Sequence, residues 1–131
     1  MPNRLTNYKT ENYDVDLTYG CESETLIAEI FSSGPKVEVK TERTETWNRF
    51  GNIAIEFRYK KNPSGISTTN ANHWIHLLDF GDGTKGGFLL PVEWLKKRVK
   101  ELLKSGVAIK KDGGDNNDSE LILIPIQRLF I

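Results

Sequence analysis

Two carboxylates and a lysine are the residues of this 131-residue chain best suited to chemistry: Glu38 and Lys40 in KVEVKTE, and Glu56 in NIAIEFRY. In residues 36–42, Val37 and Val39 alternate with Lys36, Glu38, Lys40 and Glu42. In residues 52–59, Ile53, Ile55 and Phe57 alternate with Ala54, Glu56 and Arg58. A period of two predicts half-buried strands whose polar members share one face. Paired antiparallel around the loop 43–51, these strands would set facing Cβ atoms about 5 Å apart. Glu38, Lys40 and Glu56 would then meet beside one short hairpin. Carboxylates so placed suit Mg²⁺ (or Mn²⁺), which polarises a phosphate and acidifies a bound water. A lysine at the edge of such a site orients the attacking water and offsets charge developing in the transition state. Its ammonium also moderates the repulsion between the carboxylates. The bland reading of the same pattern is a solvated strand face, where Glu and Lys are common.

The elements that must position these residues follow from periodicity and punctuation. After Gly20, CESETLIAEIFSS places Leu26, Ile27, Ile30 and Phe31 at helical spacing, and SSGP at 32–35 supplies the stop. Residues 1–15 read as an N-terminal arm and residues 16–131 as one domain. KKNPSG at 60–65 is a turn, and STTNANHW holds candidate N-caps for a short helix or turn. WIHLLDF and GFLLP are strands joined by the glycine-rich turn GDGTKGG. Pro91 opens a helix with Val92, Leu95, Val99, Leu102 and Leu103 on one stripe, closed by Gly106. VAIK and ELILIPI, separated by DGGDNNDS, are the last strand candidates. The fold class is therefore α/β (α+β): a mixed β-sheet with a central β-hairpin, flanked by helices.

Cationic and aromatic residues gather around that hairpin. Arg43, Trp47, Arg49 and Phe50 lie in its loop, and Arg58, Lys60 and Lys61 end its second strand. Such interleaving suits phosphate contact and base stacking. The plain alternative is that Trp47 and Phe50 pack the loop onto the body. Ser67 and Thr68, with Ser64, Thr69, Asn70 and Asn72, offer hydroxyls and amides for phosphate at a helix N-terminus, or for turn chemistry. Lys96, Lys97, Arg98, Lys100 and Lys104 give the long helix a basic face, a backbone contact or a solvated surface. His73 and His76 have no cysteine pair to complete a zinc site, and Asp112, Asp115 and Asp118 lack the bidentate glutamate of a calcium loop.

Composition bounds the class. With 37% hydrophobic and 27% charged residues, the balance is that of a soluble globular domain. No apolar run reaches the ~18 residues of a membrane span, so no membrane partner is expected. A single cysteine, Cys21, and an N-terminus without a signal-peptide core point to a reducing, cytoplasmic interior. Eighteen cations cancel eighteen anions, but unevenly. Residues 1–35 carry two positive and six negative groups, residues 36–61 seven and four, and residues 62–131 nine and eight. Attraction for a polyanion is thus expected to be local.

The ordered set of Gly20-x-x-x-Glu24, VEVKTE at 37–42, GNIAIEF at 51–57 and PSGISTTNANHW at 63–74 resembles small phage-type nucleases. These belong to the PD-(D/E)XK, restriction-endonuclease-like superfamily, and the resemblance covers roughly residues 16–78. It implies a restriction-endonuclease-like fold and a Mg²⁺-dependent endonuclease or exonuclease acting on DNA, in phage-type DNA metabolism. Structure-specific or junction-resolving cleavage and a homodimer fall within what it implies. It puts Glu38 and Lys40 in the acidic-x-lysine positions and Glu24 of the first helix near the metal.

One departure stands out: the superfamily carries an aspartate on a preceding strand, and no strand fits between the first helix and residue 36. Either Glu38 takes the aspartate's role, Glu56 the second acidic role and Lys40 the lysine's, or Asp14 or Asp16 completes the set. The first is favoured because Arg58 stands where a lysine two after Glu56 would be. Two rival functions remain: a nuclease-like fold kept as a non-catalytic DNA- or protein-binding module, and a host-factor inhibitor anchored by Trp47 and Phe50.

Overall fold

A computed structural model describes residues 10–32 and 36–131, with side chains from residue 18 onward. The chain falls into two units, residues 1–35 and residues 36–131, each taken by itself. The first holds one helix, α1 (Thr10–Ser32), which begins inside the segment expected as an arm and runs through Gly20. Residues 1–9 and the expected stop at 33–35 lie outside the described residues.

In the second unit, alternation has built strands where it predicts them, and one further two-residue strand forms inside the segment 60–65 expected as a turn. These are β1 (Val37–Glu42), β2 (Asn52–Tyr59), the two-residue β3 (Asn62–Pro63), β4 (His73–Asp79), β5 (Lys85–Pro91), β6 (Ile109–Gly113) and β7 (Ser119–Pro125). Ile53 and Ile55 of β2 pair with Ile124 and Ile122 of β7, and all four are buried. Such β-branched cross-strand pairs are strong units of sheet stability. The helix α2 (Val92–Lys104) buries Val92, Leu95, Val99 and Leu102, the stripe read from sequence, and its last carbonyls are capped through Ser105 and Gly106. A one-turn helix, α3 (Ile126–Leu129), adds Leu129 to a core that also contains Trp74, Leu90, Ile66 and Ala108.

The class is α+β, but the strands form two sheets. One has the order β1-β4-β5 and the other β3-β2-β7-β6. β1 runs parallel to β4, with Glu38 beside Trp74 and Lys40 beside His76. β4 and β5 form the hairpin expected around residues 80–84, and β6 and β7 form another.

The expected hairpin between β1 and β2 does not exist: the two strands lie in different sheets. The connection explains why. Residues Glu45–Arg49 wind into a short π-helical turn. Thr44 Oγ1 and Trp47 Nε1 both donate to the carbonyl of Asp79, at 2.8 and 2.7 Å. The loop is thereby tied to the end of β4, so the chain crosses from one sheet to the other instead of folding back.

The faces of β1 are also reversed from the simple reading. Val39 is 53% exposed, while Glu42 is 7% exposed. Hydrophobicity alone would bury the valines, and the buried glutamate overrides it through the partners described below.

Candidate functional site

Glu38 and Lys40 stand two apart on β1, an edge strand, so their side chains share a face. Glu38 Oε1 lies 3.2 Å from Lys40 Nζ, with both side chains a third or more exposed. The ammonium also sits 6.0 Å from the ring centre of Trp74, inside cation–π range. Lys40 is thus steered from two sides, by a carboxylate and by an aromatic face, while remaining open to solvent.

Glu56 is placed elsewhere, on β2, beside a bulge that shifts the β2–β7 register between Glu56 and Arg58. Its two carboxylate oxygens are engaged separately. Ser64 donates to one at 3.0 Å and Ser119 to the other at 2.7 Å. Gly65, at φ +53°, lets the following 3₁₀ turn (Gly65–Ser67) press against the backbone of Glu56, where a Cβ would collide with the Glu56 carbonyl oxygen. Glu38 and Glu56 therefore do not flank a shared hairpin. Among the described residues no group of three His, Cys, Asp or Glu side chains is arranged to hold a metal ion. Glu24 lies on α1, in the other unit. The alternative ligands Asp14 and Asp16 fall on side chains outside those described.

The polar group that sequence spacing does not reveal is Glu42 with His76, 34 residues apart. Glu42 Oε1 meets His76 Nε2 at 2.8 Å, and Trp74 Nε1 donates to His76 Nδ1 at 3.0 Å. An indole N–H can only donate, so Nδ1 accepts and Nε2 carries the hydrogen given to Glu42. The same Glu42 oxygen accepts the amide of Ala54 on β2 at 2.5 Å, joining the two sheets. Phe88 stacks on His76 with ring centres 5.9 Å apart. Both nitrogens of His76 are used inside the protein, so it is a structural histidine. The only hint in the sequence was the alternation that puts Glu42 on the face of Glu38 and Lys40.

The residues expected to contact nucleic acid divide by environment. Trp47 is turned inward, bonded to Asp79 and packed edge-to-face on Phe80 at 5.9 Å. Phe50 is 63% exposed, with the Arg49 guanidinium 5.2 Å from its ring centre, and Arg43 is exposed nearby in sequence. Arg58, Lys60 and Lys61 line an open hollow of about 570 Å³ together with Asp112, Asp118 and Glu120. Arg58 reaches Glu120 at 3.8 Å, so this basic group faces carboxylates.

Ser67 Oγ donates to the carbonyl of Phe57, and Thr68 closes the three-residue 3₁₀ turn. That turn is too short to offer the helix N-terminus expected for phosphate. On α2, Arg98 is withdrawn from the basic face: it bonds the carbonyls of Leu129 and Arg128 at 2.8 and 2.9 Å and pins the C-terminal segment.

No family model, no curated protein and no solved structure matches the chain. No helix among the described residues is long and apolar enough to cross a membrane.

Proposed function

We propose that the chain is a DNA-directed phosphodiester hydrolase, with Lys40 and Glu38 at its reacting edge. The observation that carries this reading is the Glu38–Lys40 contact of 3.2 Å on a partly exposed edge strand. An acid-x-lysine pair held this way can bind a water and place a positive charge beside a phosphate. Of the two carboxylates expected to hold Mg²⁺ or Mn²⁺, Glu38 stands at this edge, while Glu56 lies in the other sheet with both oxygens engaged by Ser64 and Ser119; a bound ion would supply charge to the phosphate and a more acidic water. Arg43, Arg49 and Phe50 offer phosphate contacts and one stacking surface. The sequence set around VEVKTE and PSGISTT supports the same class, with a homodimer as its assembly and the cytoplasm as its location.

A second reading, a DNA-binding module without turnover, is favoured by one specific feature. Glu56 has both oxygens committed to Ser64 and Ser119. Incubating linear, nicked and branched DNA with pure protein, in Mg²⁺, Mn²⁺ or chelator, separates the two. Cleavage that needs the cation and falls at least 100-fold in Lys40→Ala and Glu38→Ala supports the hydrolase. Salt-sensitive binding without cleavage in any cation supports the module, and neither binding nor cleavage removes both.

A further inference from the structure

A cavity of about 320 Å³ lies against α2. Its floor and walls are Phe57 of β2, Ile122 of β7, Ile66 of the 3₁₀ turn, and Val99 and Leu103 of α2. Ser67 of the same turn, Lys96 and Lys100 of α2 and Lys110 of β6 complete the lining, and no carboxylate belongs to it. Among the described residues none of these three ammoniums has an ion-pair partner. The same holds for every described lysine except Lys40, so what marks the cavity is the gathering of three ammoniums in a lining without a carboxylate. The volume lies at the lower end of the roughly 300–1,000 Å³ of small-molecule sites.

We infer that this cavity binds a single-chain anionic amphiphile, an alkyl carboxylate of medium length. Three cations without an anion in the lining favour a negative head, because an ammonium makes its strongest hydrogen bonds to a charged acceptor. An aliphatic wall specifies an apolar body. Lysine stems, which lie along apolar surface while their heads reach water, join the two halves.

A nucleotide fits the lining less well. The Ser67 hydroxyl already donates to the Phe57 carbonyl, so apart from the three ammoniums the walls hold no uncommitted donor side chain to read a base edge. The Phe57 ring has Lys110 Nζ 5.3 Å from its centre, so base stacking there must displace a cation. An alkyl chain needs neither a reader nor an open ring face.

Calorimetric titration of the full chain with sodium decanoate, kept below its micelle concentration, tests the inference. ¹⁵N shift mapping identifies the residues touched. Expected are saturable binding, amide shifts centred on Val99, Leu103 and Ile122, and about tenfold weaker binding in Lys96→Gln/Lys100→Gln, whose positions are at the protein surface. Decanol and decyltrimethylammonium should bind at least tenfold more weakly than decanoate. Absence of saturable binding overturns the inference. So do equal binding of the neutral or cationic analogue, unchanged affinity in the double variant, and tighter binding of dAMP at the same amides. Binding to phosphatidylglycerol vesicles without binding of monomeric decanoate overturns it in favour of a membrane surface. None of these outcomes depends on DNA cleavage.

Discussion

Glu42 and His76 join through a 2.8 Å contact in the interior, and the oxygen that makes it also holds the amide of Ala54 in the other sheet. Three hydrogen bonds linking β1, β2 and β4 converge on one carboxylate and one imidazole. A buried group left without its partner costs far more than the net gain of an ordinary hydrogen bond. Glu42→Ala orphans both the His76 N–H and the Ala54 N–H and should cost about 2–4 kcal/mol. Glu42→Gln keeps an acceptor oxygen and should cost about 1 kcal/mol. Urea denaturation measures both, and equal stability of Glu42→Ala and the wild type would show that the junction carries no weight.

Glu56 can be separated into its two roles. Replacing it with alanine removes the acceptor of Ser64 and Ser119 and should lower stability by about 1–2 kcal/mol. Glu56→Gln should be milder in denaturation. If Glu56 holds a cation, Glu56→Gln loses cleavage at least 100-fold while its urea midpoint stays close to the wild type. Full cleavage by Glu56→Gln assigns the residue to the fold alone.

The indole of Trp47 anchors the loop that separates β1 from β2. Trp47→Phe deletes its 2.7 Å bond to the Asp79 carbonyl but retains most of the ring contact with Phe80. A loss of about 1 kcal/mol is expected, with faster hydrogen exchange at Gly51, whose amide bonds the carbonyl of Trp47. Phe50→Ala, by contrast, should leave stability within about 0.5 kcal/mol and weaken binding of single-stranded DNA in a fluorescence-anisotropy titration. Unaltered anisotropy would remove Phe50 from the contact surface.

Lys60 and Lys61 form the two-residue turn between β2 and β3, and both have positive φ, 48° and 66°. That conformation favours Asn-Gly, because lysine meets Cβ repulsion there. The double replacement Lys60→Asn/Lys61→Gly should stabilise the chain by about 1 kcal/mol. The thermal midpoint should rise by several degrees; a fall would mean that the lysine side chains contribute more than the turn strain costs.

Asp82 has its carboxyl held below the ordinary value of 3.8, chiefly by the backbone N–H of Thr84 and next by its hydroxyl. The ionised form is therefore favoured by folding. Its contribution is fully present above the unfolded-state value and is lost as pH falls through the lowered folded-state value. Carbon-detected NMR titration should place the Asp82 midpoint below 3.8, and Asp82→Asn should remove that pH dependence. A midpoint at or above the ordinary value contradicts the turn geometry.

The strands and α2 were legible because their signals are local. Ile53, Ile55 and Phe57 alternate, and Val92, Leu95, Val99 and Leu102 repeat at helical spacing, whatever else surrounds them. The β4–β5 hairpin was legible from GDGTKGG, since turn chemistry fixes a short connection. The length of α1 was not, because the polar residues before Gly20 give no apolar stripe to read. Of the site, the sharing of a face by Glu38 and Lys40 could be read, and the company of Glu56 could not. Alternation states which residues share a face and leaves open which strand lies alongside.

The sequence by itself determined the α+β class, most element positions and the adjacency of Glu38 and Lys40, all consequences of backbone periods two and 3.6 residues long. Only the tertiary structure decided that β1 pairs with β4 instead of β2. It also placed Glu42 in the interior, and Lys96, Lys100 and Lys110 around one apolar cavity. Those outcomes depend on contacts between residues far apart in the chain. Trp47 reaching Asp79, Glu42 reaching His76 and Ser119 reaching Glu56 outweigh the local preference for a hairpin, and no spacing within a single segment encodes them.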